Sequence, residues 1–112
     1  MNRSDAIVLF EQSEAYINLF LNEIKKDNAN IYLFIGKPRL RILETAENVS
    51  KVIKYTRVKN EPKLYQGLLN LRLLTIELQR LTHIKGYGLF ASDCRRIIRA
   101  TNRLVKDGDG ST

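Results

Sequence analysis

The sequence predicts an all-α, single-domain protein: an antiparallel up-down-up-down four-helix bundle over residues 1–106. Three observations carry this expectation. Apolar residues recur at three- and four-residue steps over four stretches, the period of one helix face. Both prolines and most of the six glycines fall between those stretches, where a bundle needs its short connections. With 112 residues and 44% hydrophobic content, the chain can fill one core and bury about two thirds of its unfolded surface, and it is not composed like a disordered segment.

The first helix is expected over about 4–27. Ser4 before Asp5 fits an N-cap with an acid in the first turn, and Ile7, Phe10, Ile17, Leu21 and Ile24 form its apolar stripe, with Glu14 in the one polar slot. The continuous apolar run 31–35 has no partner strand elsewhere and reads as a buried linker or early helical turn. The second helix is expected over about 37–58, opening near Pro38 because proline is tolerated in a first turn. Its stripe is Ile42, Ala46, Val49, Ile53 and Thr56, with Lys51, Lys54 and Arg57 opposite. Asn60 should cap, and Pro62 open, a third helix over about 61–84. There Leu64, Leu68, Leu71, Thr75 and Leu78 form one seam, and Leu69, Leu73, Leu74, Ile76 and Leu81 widen it. A helix apolar around so much of its circumference packs against more than one neighbour, so Leu69, Leu73 and Ile76 are candidate subunit-interface residues. Gly86 and Gly88 stop this helix, Gly86 as a left-handed C-cap residue. The fourth helix is expected over about 91–106, with Phe90, Cys94, Ile97, Thr101 and Leu104 inward and a flexible polar tail at 107–112.

The charge is unevenly spread. The chain has 19 Lys+Arg and 12 Asp+Glu for a net +7, with −2 in residues 1–30, +5 in 31–60 and +4 in 61–112. The outer face of the fourth helix is almost wholly cationic: Arg95, Arg96, Arg99, Arg103 and Lys106. Like charges at four-residue steps disfavour a helix by a few tenths of a kcal/mol per pair, a cost an anion removes, and arginine's fork suits phosphate oxygens. The alternative is a solvated or subunit-facing stripe. No aromatic alternates with these arginines, and Tyr55 and Tyr65 lie elsewhere in the sequence, so backbone contact rather than base stacking is the expectation. Lys51, Lys54, Arg57, Arg95, Arg96, Arg99, Arg103 and Lys106 are the candidate phosphate contacts to RNA or DNA.

Catalytic chemistry finds little to stand on. The single histidine, His83, ends the third helix, and the single cysteine, Cys94, sits on an apolar stripe; no third member completes a catalytic set. No Cys or His pair has metal-ligand spacing, and Asp107-Gly108-Asp109-Gly110 lacks the glutamate that completes a calcium loop. Gly86-Tyr87-Gly88 lacks the Lys-Ser/Thr of a phosphate loop. The expectation is a non-enzymatic protein with no metal and no cofactor. A lone cysteine excludes an intrachain disulfide and fits a reducing, cytoplasmic setting. The apolar run 6–10 is too short to span a membrane, and each apolar stripe has others to pack against, leaving none for a membrane surface.

Segments 60–65 (Asn60-Glu61-Pro62-Lys63-Leu64-Tyr65) and 69–81 (Leu69-Asn70-Leu71-Arg72-Leu73-Leu74-Thr75-Ile76-Glu77-Leu78-Gln79-Arg80-Leu81) resemble the leucine- and arginine-rich third helix of the accessory variability determinant proteins of diversity-generating retroelements. Gly88-Leu89-Phe90 resembles that family's turn into a basic fourth helix, and Phe34-Ile35-Gly36 its aliphatic-Gly pattern before helix two. The chain departs from the pattern at Ala91, where a capping Ser is usual, and at Pro38. The resemblance implies a four-helix bundle that assembles as a homopentamer, binds nucleic acid through a positive surface, and assists a reverse transcriptase without itself being an enzyme. The ribosomal-RNA intervening-sequence proteins share the bundle and are the nearest alternative. A protein–protein adaptor docking its basic face on an acidic partner is another.

Overall fold

The computed structural model describes residues 1–110, with side-chain surroundings as far as Val105. Helix α1 (Arg3–Ile24) leads to a single helical turn, α2 (Tyr32–Ile35), and a 3-10 turn at Lys37–Arg39. Then come α3 (Leu40–Tyr55), a 3-10 turn at Val58–Asn60, α4 (Pro62–Ile84) and α5 (Gly88–Gly110). No strand occurs among the described residues. Residues 32–35 of the apolar run become helical, with Phe34 buried and Ile31, Tyr32 and Ile35 exposed.

Helix ends follow backbone hydrogen-bonding needs. Asn2, not Ser4, caps α1: its side-chain oxygen accepts from the Asp5 N–H at 2.8 Å, and Ser4 falls inside the first turn. The buried stripe of α1 is Ala6, Ser13, Ile17, Phe20, Leu21 and Ile24, with Ile7, Phe10 and Glu14 only half-buried. Ser13 therefore holds the polar slot. Its hydroxyl donates to the Leu9 carbonyl at 2.8 Å. Thr45, Thr75, Thr82 and Thr101 satisfy their buried hydroxyls on their own helices in the same way, so the core carries these polar groups without a desolvation penalty.

Pro38 lies in the 3-10 turn, which moves the start of α3 to Leu40. Pro62 opens α4 as expected, but Asn60 does not cap it. The Asn60 N–H bonds the Arg57 carbonyl within the 3-10 turn, and Glu61 occupies the cap position without a side-chain bond. At the other end of α4, Gly86 (φ +92°) lets its own N–H reach the His83 carbonyl and the Tyr87 N–H reach Thr82, the paired bonds that close a helix through a left-handed residue. Helix α5 starts at Gly88, ahead of Ala91, and continues to Gly110. Residues 111–112 of the expected tail lie outside the described residues.

The four long helices pack in the cyclic order α1, α3, α5, α4 around one core. Ion pairs and hydrogen bonds fix their directions. Arg3 meets Glu61 at 3.0 Å at one end, and Lys85 Nζ donates to the Ile24 carbonyl at 2.6 Å at the other, so α1 and α4 run the same way. Tyr65 and Arg72 of α4 reach Leu104 and Ile98 of α5, so that pair is antiparallel. Arg39 meets Asp93 at 3.7 Å, while Arg103 and Leu104 lie beside Ile53 and Val58, so α3 and α5 run the same way. Directions alternate along the chain, but the packing differs from a ring in which every neighbour is antiparallel. The connector 56–61 makes this possible: six residues reach about 20 Å, more than the roughly 13 Å diagonal of a square of helices spaced 9 Å apart.

Phe20, Phe34 and Phe90 close one end of the core, with Phe90 edge-on to both others at 5.0 Å and Tyr87 stacked on Phe34 at 5.2 Å. Half-buried Arg72 ties α4 to α5, its Nη1 donating to the Ile98 carbonyl, Thr101 Oγ1 and Asn102 Oδ1 at 2.9, 3.0 and 2.6 Å. The Glu23 carboxylate accepts from the Asn30 N–H at 3.0 Å and from Lys26. These contacts hold its pKa below the ordinary value, the Asn30 bond most strongly. Its hold on the linker is therefore present above the ordinary carboxylate range and is lost as pH falls through the lowered pKa.

Between α1 and α4, Gly67 admits the Phe10 ring: a Cβ there would lie 2.6 Å from Phe10 Cζ. Replacing a mid-helix glycine with alanine normally stabilises by about 1 kcal/mol. Here Gly67→Ala is expected to destabilise by about 1 kcal/mol in a denaturant melt, and to become stabilising in a Phe10→Leu background. Stabilisation by Gly67→Ala alone would refute this packing.

Candidate nucleic-acid interface

The parallel pairing of α3 and α5 decides where the basic residues meet. Their outward edges run side by side and leave three adjoining shallow depressions that share Ser50, Ile53, Lys54 and Arg103 and together make up the groove. Lys51 and Lys54 line it from α3, with Arg57 and Lys59 from the turn that follows. Arg96, Arg99 and Arg103 line it from α5. Each set follows from helical spacing: 96, 99 and 103 share one face at three- and four-residue steps, as do 51 and 54. Ile53, Ala46 and Leu104 form parts of its floor and walls.

The electrostatics are one-sided. Seven cations line the groove, and Glu47 is the one carboxylate among its described lining residues. Among the described residues, ion pairs engage Arg3, Lys26, Arg39, Arg41 and Arg80 and none of the groove cations. The C-terminal end of α3 contributes about half a negative charge, which Lys54 alone outweighs. A row of cations along a concave surface focuses positive potential there, and forked arginines on one wall suit phosphate oxygens.

Most of the residues expected to contact phosphate are thus brought together. Arg95 is exposed but stands apart from the groove lining, and the Lys106 side chain lies outside the described residues. Two groove members escaped the sequence reading. Lys59 does not sit on a helix face, and only the crossover turn brings it in. Tyr55 was expected to lie apart from the arginines; instead it lines the same depression as Lys51, Lys54 and Arg96. It ends α3 as a residue 57% exposed, and Lys54 Nζ sits 5.3 Å from the ring centroid. Its position four residues after Lys51 was a readable signal, but the facing helix was not. Tyr65 does lie elsewhere, its hydroxyl donating to the Leu104 carbonyl at 3.4 Å.

The candidate interface residues take no part in lining the groove. On α4, Leu73 is 65% and Ile76 39% exposed, while Leu69 is partly buried against the core. The seam Leu64, Leu68, Leu71, Thr75 and Leu78 faces inward, so the surplus apolar surface of this helix faces out.

Elsewhere the chemistry is quiet. His83 is exposed, whereas Cys94 is fully buried. Burial above all, with Asp93 nearby, pushes the Cys94 thiol far up, so it keeps its proton and is no nucleophile at neutral pH. The described residues hold no group of three side chains able to bind a metal ion. A small apolar pocket between α1 and α4, lined by Ile7, Phe10 and Leu64, has a charge-balanced rim of Arg3, Lys63, Glu11 and Glu61. Among the described residues, no helix is long and apolar enough to cross a membrane. No known protein family, curated protein or solved structure matches the chain.

Proposed function

We propose that this chain is a non-enzymatic, self-associating accessory protein that binds RNA or DNA along the α3/α5 groove. The observation that carries this reading is the groove itself: seven cations from two helices and the turn that follows α3, with a single carboxylate among the described lining residues. The long helices are read as a four-helix bundle. The outward Leu73 and Ile76, with Leu69, are read as the contact between copies in a homopentamer, which would repeat the cationic groove around a ring. The sequence resemblance supplies the setting, assistance to a reverse transcriptase in a diversity-generating retroelement in the cytoplasm.

Fluorescence anisotropy with short RNA and DNA oligonucleotides tests the binding. A groove engaging about seven phosphates should lose roughly a thousandfold in affinity between 50 and 200 mM salt. Absent or salt-insensitive binding would remove the reading, and capture of an acidic protein by the same face would then transfer the groove to an adaptor role. Light scattering tests the assembly: a particle of the 13.0 kDa chain mass would exclude the pentamer.

A further inference from the structure

Tyr55 gives the groove a feature that charge alone does not require. A purely phosphate-binding surface needs cations and no exposed aromatic ring. Here the ring lies in the same depression as Lys51 and Lys54 on its own helix and Arg96 across the groove. Lys54 Nζ stands 5.3 Å from the ring centroid, within cation–π range. That contact biases the orientation of the ring, and one cation covers only one of its two faces.

We infer that the groove selects single-stranded nucleic acid, with Tyr55 as a stacking platform for one unpaired base and Lys51, Lys54 and Arg96 holding the flanking phosphates. This rests on the nucleic-acid reading above and specifies its ligand. A duplex would meet these cations only through its outer phosphates and could not use the ring. Adjacent helix axes lie about 8–10 Å apart, so the groove between α3 and α5 is too narrow to take a double helix below its rim. Bases within a duplex are also stacked on both faces and cannot reach a tyrosine at the groove wall. An unpaired base can, because its π-face is free and needs no particular hydrogen-bond pattern. From Arg96 to Arg103 the α5 wall extends about 10 Å along the helix axis, so the platform sits within a cationic track that continues past it. Recognition of this kind tolerates any sequence, and it admits both RNA and DNA strands because it reads the stack and the phosphate charge.

Anisotropy titrations of the full chain with a labelled single strand, as RNA and as DNA, and with the blunt duplex of the same sequence test this directly. Tyr55→Ala is expected to weaken single-strand binding about fivefold to a hundredfold and to leave any duplex binding within about twofold. Tyr55→Phe should retain wild-type affinity, since stacking needs the ring and not the hydroxyl. An oligonucleotide with abasic sites throughout should bind the wild-type chain as weakly as the normal strand binds Tyr55→Ala. Tyr55 is exposed, so these variants should keep the wild-type melting temperature. Equal losses on single strand and duplex would overturn the inference. So would an unchanged affinity for Tyr55→Ala while Lys54→Glu and Arg96→Glu weaken every ligand, but that result would leave the groove as a backbone-binding surface. No binding of any nucleic acid by the wild-type chain would remove the broader reading and this inference together.

Discussion

Lys54→Glu, Arg96→Glu and Arg99→Glu combined are expected to lower affinity for RNA and DNA by about three orders of magnitude or more. Three charge-assisted contacts contribute roughly 1.5–3 kcal/mol each, and the new carboxylates add repulsion toward phosphate. The salt dependence should flatten as well, by about one unit of slope per contact removed. The fold should not suffer. Lys54 and Arg99 are exposed neighbours in one depression, and Lys51 and Arg103 remain to pair with the new acids, so relief of like-charge repulsion is worth a few tenths of a kcal/mol in favour of the folded state. Lys25→Glu, Lys37→Glu and Lys63→Glu combined are the charge-matched control, because these three exposed cations do not line the groove. A similar loss for that control would show that net charge, not this groove, governs binding.

Phe90→Ala is expected to be the most damaging single core substitution, at about 3–5 kcal/mol. Phe90 is fully buried and meets both Phe20 and Phe34 edge-on at 5.0 Å. Its removal would lose the transfer free energy of the ring, leave a cavity among rigid aromatics, and forfeit two aromatic contacts worth about 0.5–1.5 kcal/mol each. Domains of this size have a total stability of about 5–15 kcal/mol, so the thermal midpoint should fall by roughly 12–25 °C. Phe90→Leu keeps most of the volume and should cost less than half as much. A fall of under 5 °C for Phe90→Ala in a circular dichroism melt would mean that the aromatic cluster is not the anchor of this end.

Much of the helix content was legible because burial follows a local period. All five expected inward residues of the last helix, Phe90, Cys94, Ile97, Thr101 and Leu104, are buried, as is the whole leucine seam of α4. The left-handed Gly86 was equally readable, since only its position after the periodic run matters. Errors arose where tertiary partners decide. Ser13 rather than Glu14 holds the polar slot of α1 because a short hydroxyl can satisfy itself on its own helix while a carboxylate cannot. Asn60 is a good cap by type, yet its place in a 3-10 turn withdraws it. The site was half legible. Arginine spacing marked one wall and lysine spacing the other, but no local pattern encodes that α3 and α5 lie side by side, and so none placed Tyr55 or Lys59 between them.

That adjacency has a consequence for how the native state is held together. Helices α4 and α5 form a hairpin across a tight turn, and α1 with α3 forms another, antiparallel across a longer linker. The groove exists in neither half. It exists only where the two hairpins meet, one row of cations beside another, so the packing of the halves carries an electrostatic repulsion of its own. Multivalent anions should therefore favour that packing, and a bound strand at a hundred times its dissociation constant would add about 2.7 kcal/mol to native-state stability. The ligand would act as the final fastener between two halves of the chain.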